Sequence, residues 1–157
     1  KEAHRRAGQA FELEIRKRKV GQVMIDAAQA VHKTIVTRLT RANVLPANKV
    51  LDRGERPETF PYILVGEAHT VFPDYYDRFS IAATSDLHIW TKEDNLSSVK
   101  AIMGAAREAL WKGPWIVEGH RCINLRIEQA RFMRDPDGIH SHGVLTVLAI
   151  LQEDAQP

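Results

Sequence analysis

The C-terminal third of the chain constrains the fold most. Asp135-Pro136-Asp137-Gly138 carries turn chemistry, because Pro presets φ at the second turn position and Gly accepts a positive φ. Before the turn, Ile123, Leu125 and Ile127 alternate with Asn124, Arg126 and Glu128, the period of a half-buried strand. After it, Val144 to Leu151 is apolar at every position except Thr146. A strand that is apolar on both faces belongs at the centre of a sheet or under a neighbouring element. The two strands and their turn predict a long C-terminal β-hairpin.

The upstream pattern supplies what such a hairpin needs for a core. Met24, Ala28, Val31, Ile35 and Leu39 recur at spacings of three and four, one apolar stripe on a helix. Lys33, Arg38 and Arg41 fall on its wet side, and Asn43 and Pro46 stop it. A loop from Ala47 to Pro61 holds one short strand at Lys49–Leu51, and Tyr62–Val65 reads as the next strand. A polar aromatic loop spans Phe72–Arg78. Ser80–Thr91 is then a longer strand, with Leu87 and Ile89 pointing one way and His88 and Trp90 the other. Asn95 or Ser97 can cap a second helix with the stripe Leu96, Val99, Met103, Ala106 and Leu110, closed by Gly113-Pro114. There is no βαβ alternation. The expectation is an α+β fold, a largely antiparallel β-sheet with two helices on one face and the long hairpin at the C-terminus.

Composition sets the outer limits. At 157 residues and 44% hydrophobic, the chain has the length of one domain and enough apolar surface to exclude wholesale disorder. No apolar run reaches bilayer-spanning length, so a soluble protein made in the cytoplasm is expected, with no membrane partner. Cys122 is the sole cysteine, which excludes a disulfide framework and a Cys-rich zinc finger. The net charge is only +2, but it is uneven. Residues 1–20 carry seven basic and three acidic side chains. Residues 1–21 therefore read as a basic extension, an arm or helix, ahead of a single domain at 22–157. Within the arm, Arg16, Lys17, Arg18 and Lys19 could meet solvent, an acidic partner or DNA, with no base readout implied.

Chemistry-bearing residues give no converging catalytic set. His120, Cys122 and Asn124 occupy alternate positions of one strand, where side chains stand parallel rather than converge on a nucleophile. His140 and His142 follow the turn, and His88 and His120 could lie on adjacent strands to complete a zinc site; ordinary solvated histidines at a hairpin shoulder are the stronger reading. Asp135 and Asp137 lack the twelve-residue calcium-loop pattern. No glycine spacing forms a phosphate-binding loop. No cofactor and no metal are expected. Of the three tryptophans, Trp111 and Trp115 bracket Gly113-Pro114 and suit plugs of the core at least as well as an interface, while Trp90, opposite Leu87 and Ile89, is the better interface candidate. A two-sided apolar strand and open sheet edges call for a partner.

Three segments resemble the tail-completion family of long-tailed phages and gene transfer agents: Phe60-Pro61-Tyr62-Ile63-Leu64-Val65-Gly66-Glu67; Leu87-His88-Ile89-Trp90-Thr91; and Gly119–Arg126 followed by Arg134–Gly138 and His142–Leu145. The likeness covers about residues 24–152 in the order of the elements above; the extension 1–20 departs from it. The resemblance implies a non-enzymatic tail terminator of the virion, assembled in the bacterial cytoplasm. Its subunits would form a homo-hexameric ring on the head-proximal end of the tail tube, stop tube growth, and offer the other face to the head-completion stopper protein. DNA would pass through the bore without sequence-specific contact. Subunit and tube contacts are then expected at Trp90, at the loop residues Phe72, Tyr75 and Tyr76, and on the hairpin at Arg131, Arg134, Asp137, His140 and His142. A head-side stopper or adaptor, a basic-armed nucleic-acid module and a small metal-dependent enzyme built on His88, His120, His140 and His142 are the other readings.

Overall fold

A computed structural model describes residues 25–52, 59–72, 80–93 and 95–153. The basic extension with Arg16–Lys19, the helix-stripe residue Met24, and the loop residues Tyr75 and Tyr76 lie outside them.

Helix α1 (Ala27–Arg41) begins where Asp26 accepts hydrogen bonds from the amides of Ala28 and Gln29 at 2.9 and 3.3 Å, which satisfies donors the helix itself cannot pair. Ala27, Ala30, Val31, Ile35 and Leu39 form its buried stripe. The helix stops at Asn43, whose φ of 50° places it in the left-handed region that Asn tolerates. Arg38 does not take the wet side. Its Nε donates to the Ala109 carbonyl at 3.2 Å, its Nη1 to the Pro114 carbonyl at 3.0 Å, and its guanidinium lies 5.4 Å from the Trp115 ring centre. The sequence pattern misplaces it because an arginine can bury its stem and still reach carbonyls at another helix end.

A single 3₁₀ turn (Ala47–Lys49) leads into β1 (Val50–Leu51), followed by β2 (Tyr62–Val71), β3 (Ser80–Thr91), helix α2 (Ser97–Trp111), β4 (Ile116–Val117), β5 (His120–Arg134) and β6 (Ser141–Glu153). Asn95 accepts from the Ser97 amide at 2.9 Å as α2 begins. The strands form one sheet in the order β1-β2-β3-β6-β5-β4. The β1–β2 pair is parallel and every other pair antiparallel. The two-sided apolar strand β6 lies between β3 and β5, where a Val/Leu-rich strand has to be. β2 runs on to Val71, past the apolar run Tyr62–Val65, across a bulge between Val65 and Ala68.

The core sits against one sheet face. Leu87 pairs with Leu145 and Ile89 with Gly143, and Leu87, Ile89 and Leu145 are fully buried together with Val99, Met103, Ile35 and Leu39. A Cβ on Gly143 would lie 2.9 Å from Val99 Cγ2 and 3.0 Å from Met103 Cε, so its absence lets α2 approach β6 closely. At the end of the sheet, β5 turns into β6 through Asp135–His140. Gly138 has φ 70°, its amide donates to the Asp135 carbonyl at 3.0 Å, and the Asp135 amide donates to the His140 carbonyl at 2.8 Å.

Candidate functional site

Facing away from the core, β3 and β6 carry a ladder of rings. Trp90 pairs with His142 in the strand register, and their rings stack at 3.9 Å and 9°. His88 stands beside them, its ring 5.2 Å from that of His142 at 19°. His88 Nδ1 lies 3.0 Å from His142 Nε2, and His88 Nε2 lies 3.2 Å from Glu67 Oε2. The bond from Glu67 depends on Gly66, because a Cβ there would stand 2.7 Å from the His88 ring. Its own backbone amide first, and His88 second, hold the Glu67 carboxyl below its ordinary range. Such a row braces the sheet face. When both imidazoles are neutral, one proton serves the bond between them.

A second group lies at the turn. Asp137 Oδ1 accepts from the amides of Ile139 and His140 at 2.8 and 3.0 Å, and Oδ2 meets the His140 ring nitrogen. The imidazole bond is the main cause that holds the Asp137 carboxyl far below the usual carboxylate range. The His140 ring in turn lies 4.5 Å from Phe60, which lies 5.3 Å from Tyr62. Ligand-type atoms of Asp135, Asp137 and His140 come within 4.8 Å of one another, but both oxygens of Asp137 already serve the turn.

The four histidines considered for a metal site divide into separate groups. His88 joins His142, and His140 joins Asp137. His120 is buried at the start of β5, with Nδ1 2.9 Å from the Glu118 carbonyl. β6 separates β5 from β3, so His88 and His120 are not on adjacent strands, contrary to the sequence expectation. The row His120, Cys122, Asn124 is likewise broken. A bulge lies between Cys122 and Asn124, which turns Asn124 to the opposite face from the other two. Cys122 donates to the Asn124 carbonyl at 3.5 Å, and burial pushes its thiol up, away from nucleophilic use.

The surface residues distribute as follows. Arg131, Arg134 and Asp137 are exposed on the β5 and turn side, while His140 and His142 are half-buried. Trp90 is half-buried against His142. Trp115 is a core residue whose Nε1 donates to the Leu110 carbonyl at 2.7 Å. Trp111 is 66% exposed and so does not plug the core. The sequence treats these two alike; the break at Gly113, with φ 72°, sends them to opposite environments. Exposed apolar side chains gather at both sides of the sheet: Val71 and Phe72 at the end of β2, and Trp111, Ile116 and Ile123 around β4 and β5. A shallow groove of about 250 Å³ runs beside the latter, between Trp111 and Asn124. Composition hides this second patch, because Ile116 sits in a two-residue strand too short to show alternation.

Comparison with known proteins gives one consistent answer. Residues 22–152 match the family described as tail completion protein gp17. The tail completion protein gp17 of Bacillus phage SPP1 is 24% identical over 123 residues, covering 77% of this chain and 91% of that protein. Among solved structures, a chain in the virion of a native gene transfer agent particle superposes with a TM-score of 0.71 at 16% identity, covering 80% of this chain and 97% of that one. The bacteriophage SPP1 gp17 structure superposes with a TM-score of 0.53 at 20% identity, covering 83% and 94%. These likenesses share the α+β architecture described above. With the family match running over residues 22–152, this chain belongs to the tail completion protein gp17 family.

Proposed function

We propose that this virion protein is the tail terminator of its particle. Six copies form a ring on the head-proximal end of the tail tube, stop tube growth, and present the opposite face to the head-completion stopper, with DNA passing through the bore without sequence-specific contact. In this reading the protein acts by shape and has no catalytic residues. The same reading takes the two described helices to lie on one sheet face, the ribbon of β5 and β6 to be a long C-terminal hairpin, and residues 22–157 to act as one domain behind the basic extension.

The observation that carries the reading is the pair of exposed apolar patches at opposite sides of one sheet. Val71 and Phe72 are 53% and 68% exposed on one side, and Trp111 and Ile116 are 66% and 85% exposed on the other. Two different patches on one subunit suit a head-to-tail contact, which closes into a ring when the rotation allows. The hairpin end, with Arg131, Arg134, Asp137, His140 and His142, is the part placed to reach the tube or the stopper. Phe72, with Tyr75 and Tyr76, would meet the neighbouring subunit, and Trp90 stiffens the face behind them. Arg16–Lys19 would meet DNA or an acidic partner.

Negative-stain images of the chain mixed with the tube protein of the same particle test this. Rings seated on one end of shortened, uniform tubes are expected. Tubes of unchanged length with bare ends would overturn the reading.

A further inference from the structure

Among the described residues, hydrogen bonding along the sheet is incomplete on both sides. β4 pairs with β5 only at Arg121 and His120, and β1 pairs with β2 only at Ile63 and Leu64. Among the described residues, the outer edge of β5 from Cys122 onward and the outer edge of β2 from Val65 onward have no strand beside them. A row of unpaired backbone donors and acceptors is a template for another chain.

The two open edges match in three respects. The first is height. Following the pairing across the sheet, Ala68 is level with Ser85, Val147 and Ile127, and Val71 is level with Ala82, Ile150 and Asn124. The second is length. β2 is regular from Ala68 to Val71 after its bulge, and β5 is regular from Asn124 to Ile127 between its two bulges. Each edge therefore offers four residues in undistorted extension, while the bulge before the β2 stretch and the two that flank the β5 stretch discourage indiscriminate pairing. The third is direction. β2 opposes β3, β3 opposes β6 and β6 opposes β5, so β2 and β5 run antiparallel to one another. Repeating the sheet by rotation about an axis along its strands brings β5 of one copy beside β2 of the next in antiparallel orientation. The same register sets Thr70 beside Leu125 on the core face and Val71 beside Asn124 on the other, and puts Arg126 next to His69 and diagonal to Glu67.

We propose that the ring closes by β-strand pairing between copies of this chain, with Asn124–Ile127 of one subunit joined antiparallel to Ala68–Val71 of the next. This inference rests on the ring reading above and adds the surface and register to it. The pairing gives a backbone ladder in place of solvated edges and covers Val71 and Ile123, which are about half exposed in the single chain. It is head-to-tail, so one copy supplies β5 and its neighbour β2, and no pair of copies satisfies both edges on its own.

The test uses two full-length chains in a Cys122→Ser background, one with Val71→Cys and one with Asn124→Cys, both at exposed positions. Directly opposed residues of antiparallel strands hold their Cβ atoms ~4.5–5.5 Å apart, within reach of a short thiol-to-thiol cross-linker. Rings on tubes are assembled from a mixture of both chains and from each alone, and amide exchange is followed in parallel. The mixture is expected to give a cross-linked pair that neither chain gives alone, with the amides of both four-residue stretches exchanging at least tenfold more slowly in the ring than in the free chain. Rings in which the mixture gives no cross-link, or in which either stretch exchanges as in the free chain, would overturn the edge pairing and leave the ring reading standing. Tubes that carry no rings at all would overturn both.

Discussion

On the core face of β3 and β6, Leu87 pairs with Leu145 and Ile89 with Gly143, and α2 presses Val99 and Met103 against them. One residue along, on the opposite face, His88 pairs with Val144 and Trp90 with His142. Val144 is as deeply buried as the core residues, 1% exposed. In the strand register His88 stands beside it on one side and Arg131 on the other. The core face is held by contact area, which is tolerant of chemistry and intolerant of lost volume. The opposite face is held by stacking and directed hydrogen bonds, which tolerate lost volume better but fail when one ring is displaced. The central strand is thus apolar on both sides, with a different kind of neighbour on each.

Substitutions separate these two modes. Leu87→Ala removes a fully buried side chain and should cost about 2–5 kcal/mol, read as a fall in the urea midpoint. An unchanged midpoint would break the assignment of Leu87 to the core. Gly66→Ala should cost about 1–3 kcal/mol, because its Cβ would meet the His88 ring at 2.7 Å and detach that ring from Glu67 or His142. Gly143→Ala should cost less than Gly66→Ala, since Val99 Cγ2 and Met103 Cε are side-chain ends and the Met end yields easily. Thermal melts of the two variants give the comparison; the reverse order would mean that the ring face is the softer one.

The turn sharpens the contrast further. Asp137 is held far below its ordinary value of 3.8 by the His140 ring and two amides. Because its folded value is depressed, its contribution is fully present above the unfolded value and is lost only as pH falls through the folded one. The stability difference between the wild type and Asp137→Asn should therefore be constant near neutrality and shrink in acid, below the ordinary carboxylate range. A pH series of denaturation curves that shows the difference growing in acid would contradict this. Trp111→Ala should have the smallest effect on the single chain, within about 0.5 kcal/mol, since the side chain is mostly exposed. The same variant should lower the fraction of capped tubes, counted by microscopy.

How much of this was legible in the sequence follows from the range of the signals. The stripe Leu96, Val99, Met103, Ala106 and Leu110 and the strand Ser80–Thr91 are local periodic patterns, and the structure places both as read except Leu96, which stands just before the helix. The turn was legible from Pro136 and Gly138, whose backbone preferences act within four residues. The length of β2 was not, because Glu67, His69 and Thr70 look like loop residues until β3 pairs with them. The bulge at Cys122 carried no local mark, so the face of Asn124 could not be read. Trp111 and Trp115 differ only through the path of the chain at Gly113.

The sequence by itself determined the two helices, the longer strands and their order, because helix stripes, strand alternation and turn residues are set by neighbours along the chain. It also carried the family, spread over residues 22–152. Only the tertiary structure decided which histidines meet, which tryptophan stays in solvent, and that the two open edges of the sheet lie at one height and run in opposite directions. Those properties depend on strand order and register. They arise when β6 inserts between β3 and β5, a pairing of residues about sixty positions apart for which no local pattern exists.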